Sequence, residues 1–270
     1  MEETVVRLAR QVAERRYGKY RGFVADNEDP EKRGRLKLRV PSVLGSQDSD
    51  WALPCLPFGG AQAQGFFSVP EANAQVWVEF EEGDVNRPIW VGTFWMAQAD
   101  VPSAAAISPP TTRLFVTPKG HTLQFDDKDD AEQILLRHPK EATLVIDKDG
   151  AVALTDAKGA KLTLDASAEE LRAEDSNGNK LTMSSSGIVA EDANGNKIEM
   201  ASSGINVKGQ QIVIEGSQVM LGGQGGEPVI KGTSFLSLFA THMHPTAMGP
   251  SGPPVPQGEM SSLSSKVMTS

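Results

Sequence analysis

The chain has 270 residues, enough for two domains, and a net charge of −9. This acidic balance disfavours binding to the phosphate backbone of nucleic acids, which requires a basic surface. The single cysteine excludes a disulfide framework and a cysteine zinc site. Because this residue, Cys55, lies in an apolar run, we expect a buried thiol.

The N-terminal residues 1–16 predict one short helix. Val5, Ala9 and Val12 share one face, and charged residues cover the other. This helix either docks on a partner or packs on its own domain. The first residues lack the basic and apolar regions of a signal peptide. The sequence contains no run of about 18 apolar residues, so it predicts no membrane-spanning helix. We therefore expect synthesis in the cytoplasm without a signal peptide, with release by lysis or by a dedicated machine.

Residues 17–98 predict a compact β-domain. Short strands alternate with Gly- and Pro-containing turns, and all four tryptophans lie here. The alternation is clearest at 35–40, where Leu36, Leu38 and Val40 should face inward. Such a pattern favours a small closed barrel. The predicted strands cover residues 20–26, 35–40, 51–56, 65–69, 75–80 and 88–94.

Two stretches of this domain carry a recognisable pattern, NEDPEKRGRLKLRVPSVLGSQDSDWALPCLPFGG and FFSVPEANAQVWVEFEEGDVNRPIWVGTFW. They closely resemble the OB-fold domain of phage baseplate assembly protein V and of VgrG spike proteins. One departure is Asn73, which stands where the family usually has glycine, and we expect it to keep the turn. The resemblance implies a baseplate hub protein as partner, contacted by residues 1–20 or by the barrel. Four charged residues should serve turns and interfaces: Arg33, Arg35, Asp84 and Arg87.

Residues 99–112 are rich in Pro, Ala and Ser and predict a linker. The following segment TPKGHTLQFDD resembles the start of the VgrG-type triple-stranded β-helix. We expect His121 and the later His138 to be surface residues.

Residues 113–240 predict more than ten short strands, because apolar pairs at spacing two alternate with turn clusters. Two Asn-Gly-Asn-Lys turns begin at Asn177 and Asn194, so the repeat is 194 − 177 = 17 residues. A fixed period of this kind indicates a β-array. The apolar pairs are Leu114/Val116, Leu123/Phe125, Ile134/Leu136, Leu144/Ile146, Val152/Leu154, Leu162/Leu164, Leu181/Met183, Ile198/Met200, Ile205/Val207, Ile212/Ile214 and Val219/Leu221.

A single stack of such thin strands buries little apolar area per ordered residue. We therefore favour three identical chains winding together, which also protects sheet edges. The predicted fold class is all-β: an N-terminal OB-fold barrel followed by an intertwined triple-stranded β-helix needle in a homotrimer. An ordinary one-chain β-solenoid remains the alternative.

Residues 241–270 form a predicted tip with a Pro/Gly-rich tail. In an extended strand His242 and His244 point to one face, and three chains would offer six imidazoles, a complete shell for iron(II) or another transition ion. This His-x-His resembles the iron-binding tip of protein V-type phage spikes. The alternative is that both histidines only pack or hydrogen-bond. The tail could fold back over the tip or leave a platform for a PAAR-type cap.

The predicted function is structural: the central spike of a contractile injection apparatus, which seats on the baseplate hub and pierces the target envelope. The expected location is an assembled virion or injection particle acting outside the producing cell. We predict no catalytic residues. One alternative is a trimeric β-helical enzyme that degrades glycans, which would need two carboxylates about 5–10 Å apart. Another is an OB-fold module that binds nucleic acid, which the acidic charge disfavours.

Overall fold

A computed structural model describes residues 2–220, 230–255, 258, 261, 263 and 264. The chain separates into one unit that ends at Lys208 and a second that begins at Gly209. Most elements are β-strands, which confirms the all-β class. None of the helices in the described part of the chain has the length and apolarity of a membrane span. The α-helices are α1 (Glu2–Glu14), α2 (Pro41–Leu44) and α3 (Gly232–Thr241).

Helix α1 forms as the amphipathic pattern predicts. Its residues Val5 and Val12 are 60% and 68% exposed, so this chain does not cover them. The segment after the helix is held to the first domain, where Arg16 N–H donates to the Gly83 carbonyl at 2.9 Å. Val5 and Val12 are therefore available to a partner.

The first domain is a five-stranded barrel. Its sheet order is β2-β1-β4-β5-β3, with β3 parallel to β5 and the other pairs antiparallel. Bridges between Leu36 and Ala52 and between Arg39 and Asp48 connect β2 to the segment leading into β3, so the ring of strands closes. This arrangement confirms the OB fold. The strands are β1 (Tyr20–Asp26), β2 (Lys37–Arg39), β3 (Leu53–Pro54), β4 (Gln75–Phe80) and β5 (Pro88–Thr93).

The barrel core follows from period-two alternation. Leu36, Leu38 and Val40 are completely buried, as predicted. The indole N–H of Trp90 donates to the Gly34 carbonyl at 3.0 Å, which satisfies a polar atom inside the core. The core residues are Val24, Leu36, Leu38, Val40, Ala52, Val76, Val78, Phe80 and Trp90.

Two expectations for the barrel are wrong. Residues 65–69 form a loop instead of a strand, and Phe66 N–H donates to the Phe58 carbonyl at 3.0 Å across that loop. Cys55 is exposed instead of buried. Its N–H donates to the Trp90 carbonyl at 2.9 Å, so its backbone continues the pairing of β3 with β5. Alternation then turns Leu53 and Cys55 outward together.

Asn73 keeps its turn as predicted. Its φ of +68° lies in the left-handed region, which glycine and asparagine tolerate best. Its N–H donates to the Val24 carbonyl at 2.8 Å, and its side-chain oxygen accepts from Arg39 at 2.6 Å.

The segment after the barrel forms an eleven-stranded antiparallel sheet. Every strand pairs with the next one along the chain, from β6 to β16. The long sheet fits a β-helix-like needle. Its strands are β6 (Thr112–Val116), β7 (Thr122–Asp126), β8 (Gln133–Arg137), β9 (Thr143–Ile146), β10 (Val152–Thr155), β11 (Lys161–Asp165), β12 (Glu170–Glu174), β13 (Lys180–Ser184), β14 (Gly187–Glu191), β15 (Lys197–Ala201) and β16 (Gly204–Lys208).

The strand predictions need three corrections. Strands β12 and β14 were missed, because each shows an alanine where other strands have a large apolar residue. The pair Leu114/Val116 is wrong in register, since Phe115 lies opposite Leu123 and shares its face. No strand forms at Ile212/Ile214 or Val219, and Leu221 lies outside the described residues.

Four of the hairpin turns share one design. At Asp175, one carboxylate oxygen accepts the N–H groups of Asn177 and Asn179 at 2.8 and 2.9 Å. The other accepts both asparagine side-chain amides at 3.1 and 2.7 Å. These bonds, led by that from the Asn179 side chain, lower the pKa of Asp175 to about 2. The fourth turn position, Gly178, has positive φ, as three-residue hairpin loops require. Aspartates 147, 156 and 192 repeat the carboxylate pattern.

The turn between β8 and β9 has the same length but lacks the glycine, and it supports a stability prediction. Glu141 occupies the glycine position with φ of +65°, whereas Gly159 holds its equivalent at +92°. A left-handed side chain is strained, so Glu141→Gly should stabilise the sheet by about 0.5–1 kcal/mol per chain after the entropy cost of glycine. Denaturant unfolding measures the change. The reverse substitution, Gly159→Glu, should destabilise it, and equal effects of both variants would contradict the argument.

Candidate functional site

One face of the eleven-stranded sheet is apolar along its whole length. In register, Leu123 lies opposite Leu136, Leu154 opposite Leu162, and Ile198 opposite Val207. The apolar residues form two columns that run across the strands, and we call the surface formed by both columns the apolar face. The first column contains Phe125, Ile134, Ile146, Val152, Leu164, Leu171, Met183, Ile188, Met200 and Ile205. The second contains Phe115, Leu123, Leu136, Leu144, Leu154, Leu162, Ala173, Leu181, Ala190, Ile198 and Val207.

The chain by itself leaves this face largely uncovered. Among described residues of the sheet, Leu135 alone counts as a buried hydrophobic residue, and it lies on the opposite face. Large side chains on the apolar face remain exposed, including Leu136 at 52% and Ile205 at 70%. A contiguous exposed apolar surface of this extent marks an interaction surface.

The second column also alternates in size. Small residues, Ala173 and Ala190, lie between the large residues Leu162, Leu181 and Ile198. Together with turn residues, these side chains line a groove on the apolar face. Alternating large and small side chains allow two such faces to interdigitate at interior packing density.

The opposite face of the sheet is polar and charged. Across consecutive strands, Lys161 faces Glu174, Glu174 faces Lys180, Lys180 faces Glu191, and Glu191 faces Lys197. Opposite charges directly across an antiparallel pair stabilise the register modestly. The sheet therefore has one face suited to water and one suited to a partner.

The predicted tip residue His242 directly follows a helix. Helix α3 ends at Thr241, and His242 takes extended backbone angles. Its Nδ1–H donates to the Phe239 carbonyl. This bond fixes the tautomer and leaves Nε2 as the free acceptor nitrogen. The preceding apolar run FLSLFA fits a strand or a helix equally well by pattern, so the sequence did not predict the helix.

The structure brings the two predicted tip histidines together. The ring centroids of His242 and His244 are 5.0 Å apart, at an interplanar angle of 81°. His244 is held by Ser251, whose hydroxyl accepts from the His244 N–H at 2.8 Å and whose N–H donates to the His244 carbonyl at 2.8 Å. The chain turns back between these residues through β17 (Pro245–Thr246) and β18 (Gly249–Pro250).

The histidine pair fits the chemistry of a transition metal. Imidazole nitrogen suits iron, nickel, copper and zinc, and a hydrogen bond from the other ring nitrogen orients such ligands. His242 has that bond through Phe239. Within one chain the described residues hold no group of three or more metal-ligating side chains. A complete shell would need ligands from further chains.

The barrel contains a buried ion pair at the turn after β1. The side chains of Asp29 and Arg35 are 3% and 12% exposed, and their charged atoms are 2.7 Å apart. The Asp29 carboxylate also accepts N–H groups of Glu31 at 3.0 Å and of Arg33 at 2.8 Å. The Arg35 guanidinium holds the pKa of Asp29 well below its usual range, with the backbone donors adding to the effect. Arg35 therefore serves a turn, as predicted, whereas the side chain of Arg33 only pairs with exposed Glu31.

Sequence reasoning missed the cation–π contacts on the barrel, of which its described residues contain four. The Arg21 guanidinium lies 5.9 Å from the Trp77 ring, and the Lys37 ammonium lies 5.4 Å from the Trp51 ring. They arise because neighbouring strands place these residues side by side, as in the pairing of Arg21 with Trp77. A cation over an aromatic face competes with a base that would stack there.

The structure combines a closed OB barrel with a long antiparallel sheet whose apolar face is uncovered in the single chain. Residues 20–95 match the family model of the Type VI secretion system/phage-baseplate injector OB domain. This match confirms the resemblance to baseplate protein V and VgrG spike proteins, and it covers the barrel alone. It supports a baseplate or spike-type structural role and assembly with baseplate components.

Proposed function

We propose that this protein is the homotrimeric central spike of a contractile injection apparatus, in a phage tail, a tailocin or an extracellular injection system. The observation that carries the proposal is the apolar face, which runs through all eleven strands and which the chain itself leaves exposed. Three such faces turned toward a common axis would bury one another and form a stiff needle.

The self-pairing of consecutive strands determines what a trimer must bury. Each hairpin already satisfies its backbone hydrogen bonds within the chain, from β6 to β16. What remains is apolar side-chain area on one face. Association through that face needs no new backbone pairing along the ladder, so side-chain contacts supply the driving force for the proposed needle.

The N-terminal elements provide the proposed attachment. The barrel belongs to a baseplate injector family, and α1 presents uncovered valines Val5, Val6 and Val12 beside it. We assign the barrel and α1 to the baseplate hub. In this arrangement the needle transmits thrust to the target envelope, and a PAAR-type protein caps its end. The protein then acts as part of an extracellular particle.

We further propose that three copies of His242 and His244 hold one iron ion or another transition ion. The six imidazoles would complete an octahedral shell, and the ion would fasten three chains at the point of highest load. The geometry that supports this is the 5.0 Å separation of the rings and the orienting bond of His242 to Phe239.

Replacing both tip histidines by alanine should remove this metal and leave the trimer intact. The reason is that the apolar face, not the tip, supplies most of the buried area. Native mass spectrometry with elemental analysis should give three chains and one ion before the change, and three chains without it afterwards. The single variant Ser251→Ala, which loosens only the His244 backbone, serves as control and should keep the metal.

A chain that remains monomeric at micromolar concentration would contradict the spike. A trimer that keeps its metal after the double substitution would contradict the proposed metal site but not the proposed spike.

Two other functions are separable by simple assays. A glycan-degrading enzyme would produce clearing in a zymogram, and a nucleic-acid module would retain labelled oligonucleotide on a filter. We expect neither, since the spike works by stiffness and needs no turnover. The family of the barrel is structural, which favours this reading.

A further inference from the structure

The two histidines outside the tip are neighbours across a hairpin. Thr122 pairs with Arg137, so the next positions outward, His121 and His138, face each other directly. Their ring centroids are 5.0 Å apart at an interplanar angle of 78°. Both side chains are exposed in this chain, and they lie at the turn edge of the apolar face.

The spacing of the rings suits two ligands of one ion. When two imidazoles bind a metal through Nε2 at about 2.0–2.1 Å in tetrahedral geometry, their centroids lie about 5 Å apart. The observed separation of His121 and His138 equals this value. No rearrangement of the backbone is needed to bring the rings together.

In the metal-free chain, hydrogen bonds at the Nδ1 atoms hold both rings. Nδ1 of His121 lies 3.2 Å from Thr117 Oγ1, so a Nδ1–H group has an acceptor and Nε2 is free. Nδ1 of His138 accepts the Lys140 N–H at 3.1 Å. In this turn His138 takes the position that aspartate holds elsewhere, as Asp175 does toward Asn177.

We propose that His121 and His138 form a bis-imidazole site for a divalent nickel, copper or zinc ion, with water completing the coordination shell. Borderline metals of this series favour imidazole ligands, and copper binds most tightly among them. Coordination of His138 through Nε2 moves its proton to Nδ1, so the bond from Lys140 is given up. This lost bond reduces affinity by up to about tenfold and leaves a moderate-affinity site.

The site belongs to a single chain, so it does not rest on the proposed trimer. It is also distinct from the tip, because the four histidines of the sequence divide into these two pairs. If the spike is trimeric, each needle would carry three such sites.

The repeat supplies a matched control for the test. At the equivalent cross-strand position six strands later, Asn179 faces Asp192, since Lys180 pairs with Glu191. The double variant His121→Asn with His138→Asp therefore installs a pair that this sheet already uses. The new aspartate can accept the Lys140 N–H as Asp175 accepts that of Asn177, so the turn is preserved.

The experiment uses the full chain with both tip histidines replaced by alanine, so that His121 and His138 are the only histidines left. Calorimetric titration with nickel should show one ion per chain, and the control pair should weaken binding at least tenfold. Copper titration followed by electron paramagnetic resonance should show two equivalent nitrogen ligands. Loss of the Lys140 bond should appear as faster amide exchange of Lys140 on metal binding.

Identical nickel isotherms with and without the control pair would overturn the site. So would a copper spectrum with fewer than two imidazole nitrogens, or a Lys140 amide that metal leaves unchanged. A monomeric chain that binds nickel as described would contradict the spike and leave this site standing.

Discussion

Ile198→Lys is expected to abolish assembly of the needle. Ile198 lies in the second column of the apolar face, between Ala190 and Val207, and is 47% exposed in the single chain. A trimer built on this face would bring three lysines into one apolar layer. Burying unpaired charges costs several kcal/mol each, which exceeds what the neighbouring contacts of that layer supply. Size-exclusion chromatography with light scattering should show monomers or aggregates in place of trimers.

The control for this prediction is Val189→Lys on the neighbouring strand. Val189 lies on the polar face and pairs with Glu199, so the new lysine gains an opposite charge across the strands. This variant should remain trimeric and unfold within a few degrees of the unchanged protein. A soluble native-like trimer of the Ile198 variant would show that another surface makes the interface. Ile212 is a weaker test site, since it lies outside the strands of the sheet.

Asp29→Asn should destabilise the barrel strongly. The carboxylate of Asp29 accepts from three backbone N–H groups and from both Nε and a terminal nitrogen of Arg35. An amide replaces one acceptor oxygen with a donor that faces other donors, and it leaves Arg35 without its buried counter-charge. We expect the melting temperature of the barrel to fall on the order of 10 °C. Differential scanning calorimetry measures the change.

Glu31→Gln is the matched control, because it changes a carboxylate in the same cluster. Glu31 also pairs with Arg35, at 3.1 Å, but more than half of its side chain is exposed. Solvent-exposed ion pairs contribute little to stability, so the melting temperature should change by only a few degrees. If both substitutions lowered the melting temperature equally, the buried ion pair would contribute no more to stability than the exposed one.

The acid response of Asp29 gives this prediction a second readout. The pKa of Asp29 is lowered in the folded state, chiefly by Arg35. Its stabilising contribution is therefore fully present above the ordinary aspartate pKa of about 4 and is lost as the pH falls below that value. The Asp29→Asn variant lacks this contribution at every pH. The difference in free energy of unfolding between the two proteins should therefore narrow as the pH falls below 4. If the difference in stability stayed constant with pH, the Asp29 carboxylate would not be the cause of the destabilisation.

The sequence by itself predicted the elements that depend on local patterns. Alternation at Leu36, Leu38 and Val40 identified a barrel strand and its inward face, because side chains of a strand point to alternating sides. The same rule identified most needle strands, and the turn residues predicted their ends. The family of the barrel also followed from ordered local motifs, and the match over residues 20–95 confirms it. The metal site at His242 and His244 remains a prediction.

Only the tertiary structure decided which residues meet. His121 and His138 looked like separate surface residues, and the register of β7 with β8 makes them neighbours. Cys55 lies in an apolar run, yet the parallel pairing of β3 with β5 turns it outward. Helix α3 was not predicted, because an apolar run alone does not distinguish a helix from a strand. For the histidine pair and for Cys55, alternation fixes which residues share a side of a strand. Their neighbours depend on the pairing between strands, which no local pattern records.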